Sequence, residues 1–126
     1  MITKRRDVAT IHEIRHYIED NFTREIPIAS ICKEFGINRT KLQEGFNQQF
    51  GSSVHALISQ LRMEKARTML RETDESIKFI GLECGYKTLS SFTRVFTRLH
   101  KMSPTQYRSL TISNEKHSDE INGSVN

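Results

Sequence analysis

The sequence predicts an all-α fold of about seven helices, arranged as two helix-turn-helix subdomains joined by a long linker helix. One spacing of apolar and glycine residues occurs twice, and no useful stretch shows the period-two alternation of a strand. The first copy is Ile28, Ile31, Cys32, Gly36, Ile37, Leu42 and Phe46. The second copy, with one extra residue before Phe92, is Ile77, Ile80, Gly81, Gly85, Tyr86, Phe92 and Phe96. Each copy predicts a helix, a glycine turn and a second helix, as in homeodomain-like units.

Capping residues and glycines place the ends of the individual helices. Residues 8–21 have one apolar face and predict a first helix. Pro27 fits the first turn of the next helix. In the linker helix, Arg62 is expected to support the fold by ion pairing. The predicted helix starts are at Asp7, Asn38, Ser52 or Ser53, Asp74 or Ser76, Thr88 and Ser103, and the predicted terminating glycines are Gly36, Gly51 and Gly85.

These elements predict five segments along the chain. They are a flexible basic arm (1–7), a first helix-turn-helix subdomain (8–51), a linker helix (52–72), a second subdomain (73–109) and a disordered tail (110–126). The arm contains Lys4, Arg5 and Arg6, which suit either a solvated terminus or a DNA contact. The two cysteines are too few for a disulfide framework, and the sequence shows neither a signal peptide nor a membrane span, so we expect a cytoplasmic protein.

The charge balance favours a polyanionic partner. The formal net charge is +4 and the isoelectric point is about 9.3. Since the last sixteen residues hold three carboxylates and one lysine, the first 110 residues carry +6. Such an excess is compatible with nucleic acid but does not require it.

The second helix of each copy has an outward face rich in hydrogen-bonding side chains. The glycine turn lets this helix project far enough to enter a major groove ~12 Å wide. Amide, guanidinium and hydroxyl groups can contact base edges there, whereas Glu44 suits only a cytosine amino group. A linker helix of about 18 residues spans roughly 27 Å, close to the ~34 Å between successive major-groove faces. The outward residues are Arg39, Thr40, Gln43, Glu44 and Asn47 in the first copy and Thr88, Ser90, Ser91, Thr93, Arg94 and Thr97 in the second.

Two other interpretations of these helices remain open at this point. Their polar faces could simply be the solvated sides of ordinary amphipathic helices, in a helical protein-interaction module without sequence-specific DNA recognition. A separate motif, His12-Glu13-Ile14-Arg15-His16, matches the H-E-x-x-H pattern of zinc hydrolases. Its helix already buries Ile11, Ile14 and Ile18, and no third ligand or strand-edged cleft accompanies it. We therefore predict no enzymatic activity, no metal and no cofactor.

Three stretches share their spacings with one known family. They are the linker segment Leu61-Arg62-Met63-Glu64-Lys65-Ala66-Arg67, the second copy from Ile77 to Tyr86 with Ser91-Phe92-x-Arg94-x-Phe96, and Ser103-Pro104 with Tyr107-Arg108. By these residues the chain resembles the DNA-binding domain of the AraC/XylS family of bacterial transcription regulators. The resemblance covers about residues 8–109. The start of the second helix in the first copy, Asn38–Leu42, is most similar to regulators of siderophore uptake. The sequence departs from the family at Gly81, where alanine is usual, and at Lys101, where glycine is common.

The resemblance implies that two recognition helices occupy adjacent major-groove segments of double-stranded DNA. It also implies that the protein regulates transcription, and more specifically that it activates it. RNA polymerase is a further expected partner, and a membrane is not. We expect these 126 residues to lack the effector or dimerisation domain found in most members. Base contacts are implied for Thr40, Gln43, Glu44, Ser90, Ser91, Thr93 and Arg94. Backbone contacts are predicted for Arg39, Lys41, Asn47, Lys87, Thr88 and Thr97.

Overall fold

The computed structural model describes residues 5–113, and residues 1–4 and 114–126 lie outside that range. The described chain folds into seven helices without a strand, which confirms the all-α prediction. They are α1 (Arg5–Asn21), α2 (Ile28–Phe35), α3 (Arg39–Phe50), α4 (Val54–Glu72), α5 (Ile77–Glu83), α6 (Leu89–His100) and α7 (104–113). Across residues 5–113, none of these helices has the length and apolarity that crossing a bilayer requires.

The chain divides into two compact units, Met1–Arg62 and Met63–Asn126, each with its own hydrophobic core. The division lies inside the predicted linker helix, because α4 is buried in both cores. Its first half contributes Val54, Leu57 and Ile58 to the core of the first unit. Its second half contributes Met63, Ala66 and Leu70 to the core of the second unit. The helix predicted to join the two subdomains is therefore also a structural part of each unit.

Each of the two helix-turn-helix turns contains a backbone hydrogen bond at the same place in the repeat. The amide of Ile37 donates to the carbonyl of Cys32 at 3.1 Å, and the amide of Tyr86 donates to that of Gly81 at 3.0 Å. These are equivalent positions in the two copies of the repeat. The glycine of each turn has a positive φ, 64° at Gly36 and 104° at Gly85, and residues other than glycine rarely adopt such values.

The extra residue of the second copy lies in the turn and not in the recognition helix. Asn38 caps α3 by accepting from the amide of Lys41, and Thr88 caps α6 by accepting from the amide of Ser91. Each helix has 12 residues, and the buried Leu42 and Phe46 of α3 lie at the same distances from Asn38 as Phe92 and Phe96 of α6 lie from Thr88. The insertion therefore falls at Lys87, and residues beyond the caps correspond at a constant offset.

That correspondence places Lys101 opposite Gly51. Both residues end their helices in the left-handed conformation, with φ of 59° at Lys101 and 69° at Gly51. The lysine therefore occupies a position where a β-carbon is unfavourable, which gives a physical reason for the glycine that is common there in the family.

Most predicted caps are confirmed. Ser53 Oγ accepts from the amide of Ala56, and Ser76 Oγ accepts from that of Phe79. Ser103 and Gln106 bond reciprocally, side chain to backbone, at the start of α7. This pair is a capping box, which satisfies two amides that the helix leaves without intrahelical partners.

Three predicted boundaries are wrong. Helix α1 already begins at Arg5, so Asp7 lies in its first turn and the helix takes in residues 5–7 of the expected arm. Pro27 occupies the N-cap position, one residue earlier than predicted, and its carbonyl accepts from the amides of Ser30 and Ile31. Helix α7 continues to residue 113, into the expected tail. The rest of the predicted arm and tail lies outside the described residues. Helix ends fray, and local sequence signals place them less precisely than the helices themselves.

An arginine joins the last helix of each unit to carbonyls near the end of that unit's first helix. Arg62 of α4 donates to the carbonyls of Phe22 at 2.8 Å and Arg24 at 3.0 Å. Arg108 of α7 donates to those of Leu70 at 3.1 Å and Thr73 at 3.2 Å. The structural role predicted for Arg62 is thus exerted through backbone carbonyls, which helix ends leave unsatisfied.

Candidate nucleic-acid interface

The recognition helix of the first unit, α3, is fixed by a narrow buried face. Leu42, Gly45 and Phe46 are buried, and α3 packs against α1 and α2. The opposite face is open to solvent. The predicted DNA-contacting residues on it that are exposed are Arg39, Thr40, Gln43, Glu44 and Asn47, and Lys41 is half-buried.

Lys41 is held by an ion pair with the first helix. Its Nζ lies 3.5 Å from Oδ2 of Asp7, whose side chain is only 13% exposed. Asp7 therefore steadies the start of the recognition helix and does not cap its own helix. The charge of Lys41 is partly satisfied inside the first unit, which distinguishes it from the more exposed Arg39.

The recognition helix of the second unit, α6, presents a continuous surface. Phe92 and Phe96 are fully buried beneath it. On the outer side, one open and shallow depression is lined by Leu89, Ser90, Thr93, Arg94, Thr97 and Arg98. Four of these residues are in the predicted DNA-contacting set. Leu89 and Arg98 were not predicted, although Arg98 follows Arg94 by one helical turn, a spacing that could have indicated it.

Ser91, predicted to contact a base, is also part of the cap of α6. Its hydroxyl donates to the carbonyl of Thr88 at 3.0 Å and accepts from the hydroxyl of Thr88 at 3.0 Å. The amide of Ser91 also donates to Thr88 Oγ1. Both side chains are therefore engaged in the cap of α6. The spacing of Ser91 suggested an outward position, but the hydroxyl is turned toward its own helix start.

Two residues of the H-E-x-x-H motif pack against the end of α3. The ring of His12 meets that of Phe50 edge-on at 5.0 Å, and the guanidinium of Arg15 lies 4.5 Å from the centre of the same ring. His16 instead pairs with Glu19, with Nδ1 3.3 Å from the carboxylate. Within residues 5–113 no cluster of three or more histidine, cysteine or carboxylate groups is arranged to hold a metal ion.

The electrostatics of the two recognition helices differ. The depression on α6 contains two guanidinium groups and no carboxylate. Helix α3 carries Arg39 and Lys41 together with Glu44. Glu44 and Arg94 occupy equivalent positions in the repeat, so α3 and α6 carry opposite charges at the same helical position. The two surfaces are therefore chemically unlike although their buried sides match.

Each of the two small helical units has an exposed recognition helix, α3 or α6, whose opposite side buries phenylalanine. This arrangement defines a helix-turn-helix protein. A family model described as a helix-turn-helix domain matches residues 31–109. The chain belongs to the AraC-type family of helix-turn-helix DNA-binding transcription regulators. This confirms the family resemblance, and the family consists of regulators and not of enzymes.

Curated relatives match the chain over most of its length. It is 34% identical over 93 residues to the xylose operon regulatory protein of Escherichia coli strain K12, covering 74% of this chain and 24% of that protein. It is 31% identical over 100 residues to the transcriptional activator RhaS of Citrobacter koseri, covering 79% of this chain and 36% of that protein. The chain thus spans about a quarter to a third of these relatives. Its narrower resemblance to siderophore regulators stays a prediction.

Solved structures agree with the fold. The C-terminal domain of AraT, a response regulator from Geobacillus stearothermophilus, has a TM-score of 0.77 at 28% identity and covers 80% of this chain and 84% of its own. The DNA-binding domain of AdpA, crystallised with a target DNA, also has a TM-score of 0.77. Its 17% identity over 83% of this chain makes it a relative in fold.

Proposed function

We propose that the chain recognises specific double-stranded DNA sequences by inserting α3 and α6 into adjacent major-groove segments, and that it thereby activates bacterial transcription. The observation that carries this proposal is the outer face of α6. There, hydroxyl and guanidinium groups surround one depression that contains no carboxylate. Such a face suits a polyanion whose base edges offer hydrogen-bond acceptors.

Base recognition in the second unit rests on Ser90, Thr93 and Arg94. An exposed guanidinium can bond guanine O6 and N7 together, and short hydroxyl side chains allow the helix to approach the bases closely. Thr97, Arg98 and Lys87 would contact the flanking phosphates. Thr88 and Ser91 belong to the cap, and the N-terminal amides of α6 beside them also suit a phosphate.

Base recognition in the first unit rests on Thr40, Gln43 and Glu44. Gln43 has the amide that pairs with adenine, while the carboxylate of Glu44 suits a cytosine amino group and repels phosphate. Arg39, Lys41 and Asn47 would supply the backbone contacts. Because Glu44 and Arg94 are equivalent, the two half-sites should differ in sequence.

Activation is proposed from the relatives. RhaS and RhaR, which match this chain, are named as transcriptional activators. Contact with RNA polymerase is one way in which an activator bound beside a promoter acts, so we propose the polymerase as a second partner.

Selection of bound duplexes from a random DNA pool tests the proposal. Two unlike sequence blocks about one helical turn apart, roughly 10 base pairs, are expected for the full chain. Repeating the selection with Arg94→Ala should remove or relax one block and keep the other. An Arg24→Ala variant, altered at an exposed arginine outside both recognition helices, serves as the matched control and should return both blocks. Binding without any sequence preference would instead support a protein-interaction module.

A further inference from the structure

A leucine lies on the surface that α6 would present to DNA. Leu89 is 43% exposed although it is a large apolar residue. Within residues 5–113 the other exposed large aliphatic side chains are Leu82, Leu99, Leu110 and Ile112. Leu89 differs from them because it lines the depression that also contains Ser90, Thr93 and Arg94. Its apolar surface is therefore placed among the groups proposed to contact bases.

Leu89 belongs neither to the cap of α6 nor to the buried face of that helix. Leu89 is the first residue of α6, and the cap beside it is made by Thr88 and Ser91 alone. The buried face of the helix begins only at Phe92. At the equivalent position the first unit has the exposed Arg39, so the repeated frame accepts a charged side chain there. The repeated frame therefore does not require a leucine at this position.

We propose that Leu89 packs against the 5-methyl group of a thymine and so gives the second half-site a preference for that base. This inference rests on the proposed function, since it requires α6 to lie in the major groove. Thymine presents a methyl group there, whereas the other three bases present donors and acceptors or an unsubstituted edge. Leucine can neither donate nor accept a hydrogen bond, and contact with a methyl is the apolar interaction open to it.

The charges around Leu89 indicate why the occupant is DNA and not an apolar peptide. Arg94 and Arg98 line the same depression, and no carboxylate does. A polyanion neutralises both guanidinium groups while its base edges reach the floor of the depression. Leu89 would then exclude water between the helix and one thymine.

Replacing thymine by deoxyuridine tests this directly, because it removes only the methyl group. The full chain is measured on the duplex selected from the random pool, with each thymine of the second block changed singly to deoxyuridine. Losing one buried methyl, at about 0.8 kcal/mol, corresponds to about fourfold weaker binding at one position. The variant Leu89→Ala should bind the thymine duplex about fourfold more weakly and lose most of its sensitivity to deoxyuridine at that position.

Leu99→Ala provides the matched control, since Leu99 lies on the same helix, is 49% exposed and does not line the depression. It should keep the full sensitivity to deoxyuridine. Equal sensitivity of the wild type and Leu89→Ala at every thymine would overturn the inference and would assign any methyl contact to Thr93 or Thr97. The inference is also overturned if the wild type is insensitive throughout or if the second block lacks thymine. A pool that yields no sequence block at all would overturn the proposed function as well.

Discussion

A β-carbon on Gly81 would lie 2.8 Å from Cγ of Phe92 and 2.9 Å from its Cβ. Both residues are buried, one on α5 and the other on α6. The close approach of these two helices thus depends on the absence of a side chain at position 81. Helix propensity alone favours the family's alanine over glycine at this position. The structure adds that the glycine permits the packing of the recognition helix.

Gly81→Ala should therefore destabilise the protein. Alanine improves helix propensity by up to ~1 kcal/mol, but forcing a β-carbon against Phe92 costs about 1–3 kcal/mol. We expect a net loss of about 1–2 kcal/mol in the free energy of unfolding, measured by urea denaturation. Lys78→Ala, at an exposed site on the same helix, is the control and should change stability little. An alanine variant as stable as the wild type would mean that α5 and α6 can move apart enough to admit the β-carbon without a loss of stability.

Lys101→Gly should stabilise the protein. Lysine holds a left-handed conformation here, with φ of 59°, which costs an L-residue about 1–2 kcal/mol. Glycine removes this strain but loses more backbone entropy on folding, so we expect the free energy of unfolding, measured by thermal denaturation, to rise by about 1 kcal/mol.

Two controls isolate the cause of that gain. Lys101→Ala removes the long side chain but keeps the β-carbon, and it should give no stabilisation. The converse change, Gly51→Ala, should cost about 1 kcal/mol, because φ is 69° there and no atom lies within 4 Å of the added carbon. Stabilisation by Lys101→Ala would instead implicate the lysine charge.

Arg62→Lys and Arg108→Lys should each weaken one unit more than the other. Each arginine donates from two different nitrogens to two carbonyls, and a single ammonium group cannot reproduce that geometry. We expect a loss of about 1–3 kcal/mol, seen by amide hydrogen exchange as faster exchange in α1–α3 for Arg62→Lys and in α5–α7 for Arg108→Lys. Equal effects of both variants on all helices would show that the two cores unfold together.

Arg94→Ala and Arg98→Ala should weaken DNA binding in different ways. Arg94, proposed to contact a base, should cost about 1–3 kcal/mol on the selected duplex and relax the preference at one position. Arg98, proposed to contact phosphate, should weaken all duplexes alike and reduce the slope of log affinity against log salt by about 1. Titrations at several salt concentrations on selected and scrambled duplexes measure both. Reversed behaviour would exchange the two roles.

Local chemistry made much of the fold predictable from the sequence. The repeated spacing located α2, α3, α5 and α6, because apolar residues one helical turn apart must share a buried face. The caps at Asn38 and Thr88 were predictable from equally local chemistry, since a side-chain oxygen reaches an amide only three residues away. Charge and spacing also indicated the outer faces of both recognition helices.

Only the tertiary structure decided how the side chains on and behind these faces are arranged. The sequence could not show that Ser91 turns into its cap, that Leu89 joins the depression on α6, or that α4 enters two cores. Each of these depends on which atoms compete for the same space or hydrogen bond once the chain has folded. Periodicity determines the side of a helix that is buried, whereas the contact between Gly81 and Phe92 depends on how closely two helices approach, a distance set by the packing of the whole unit.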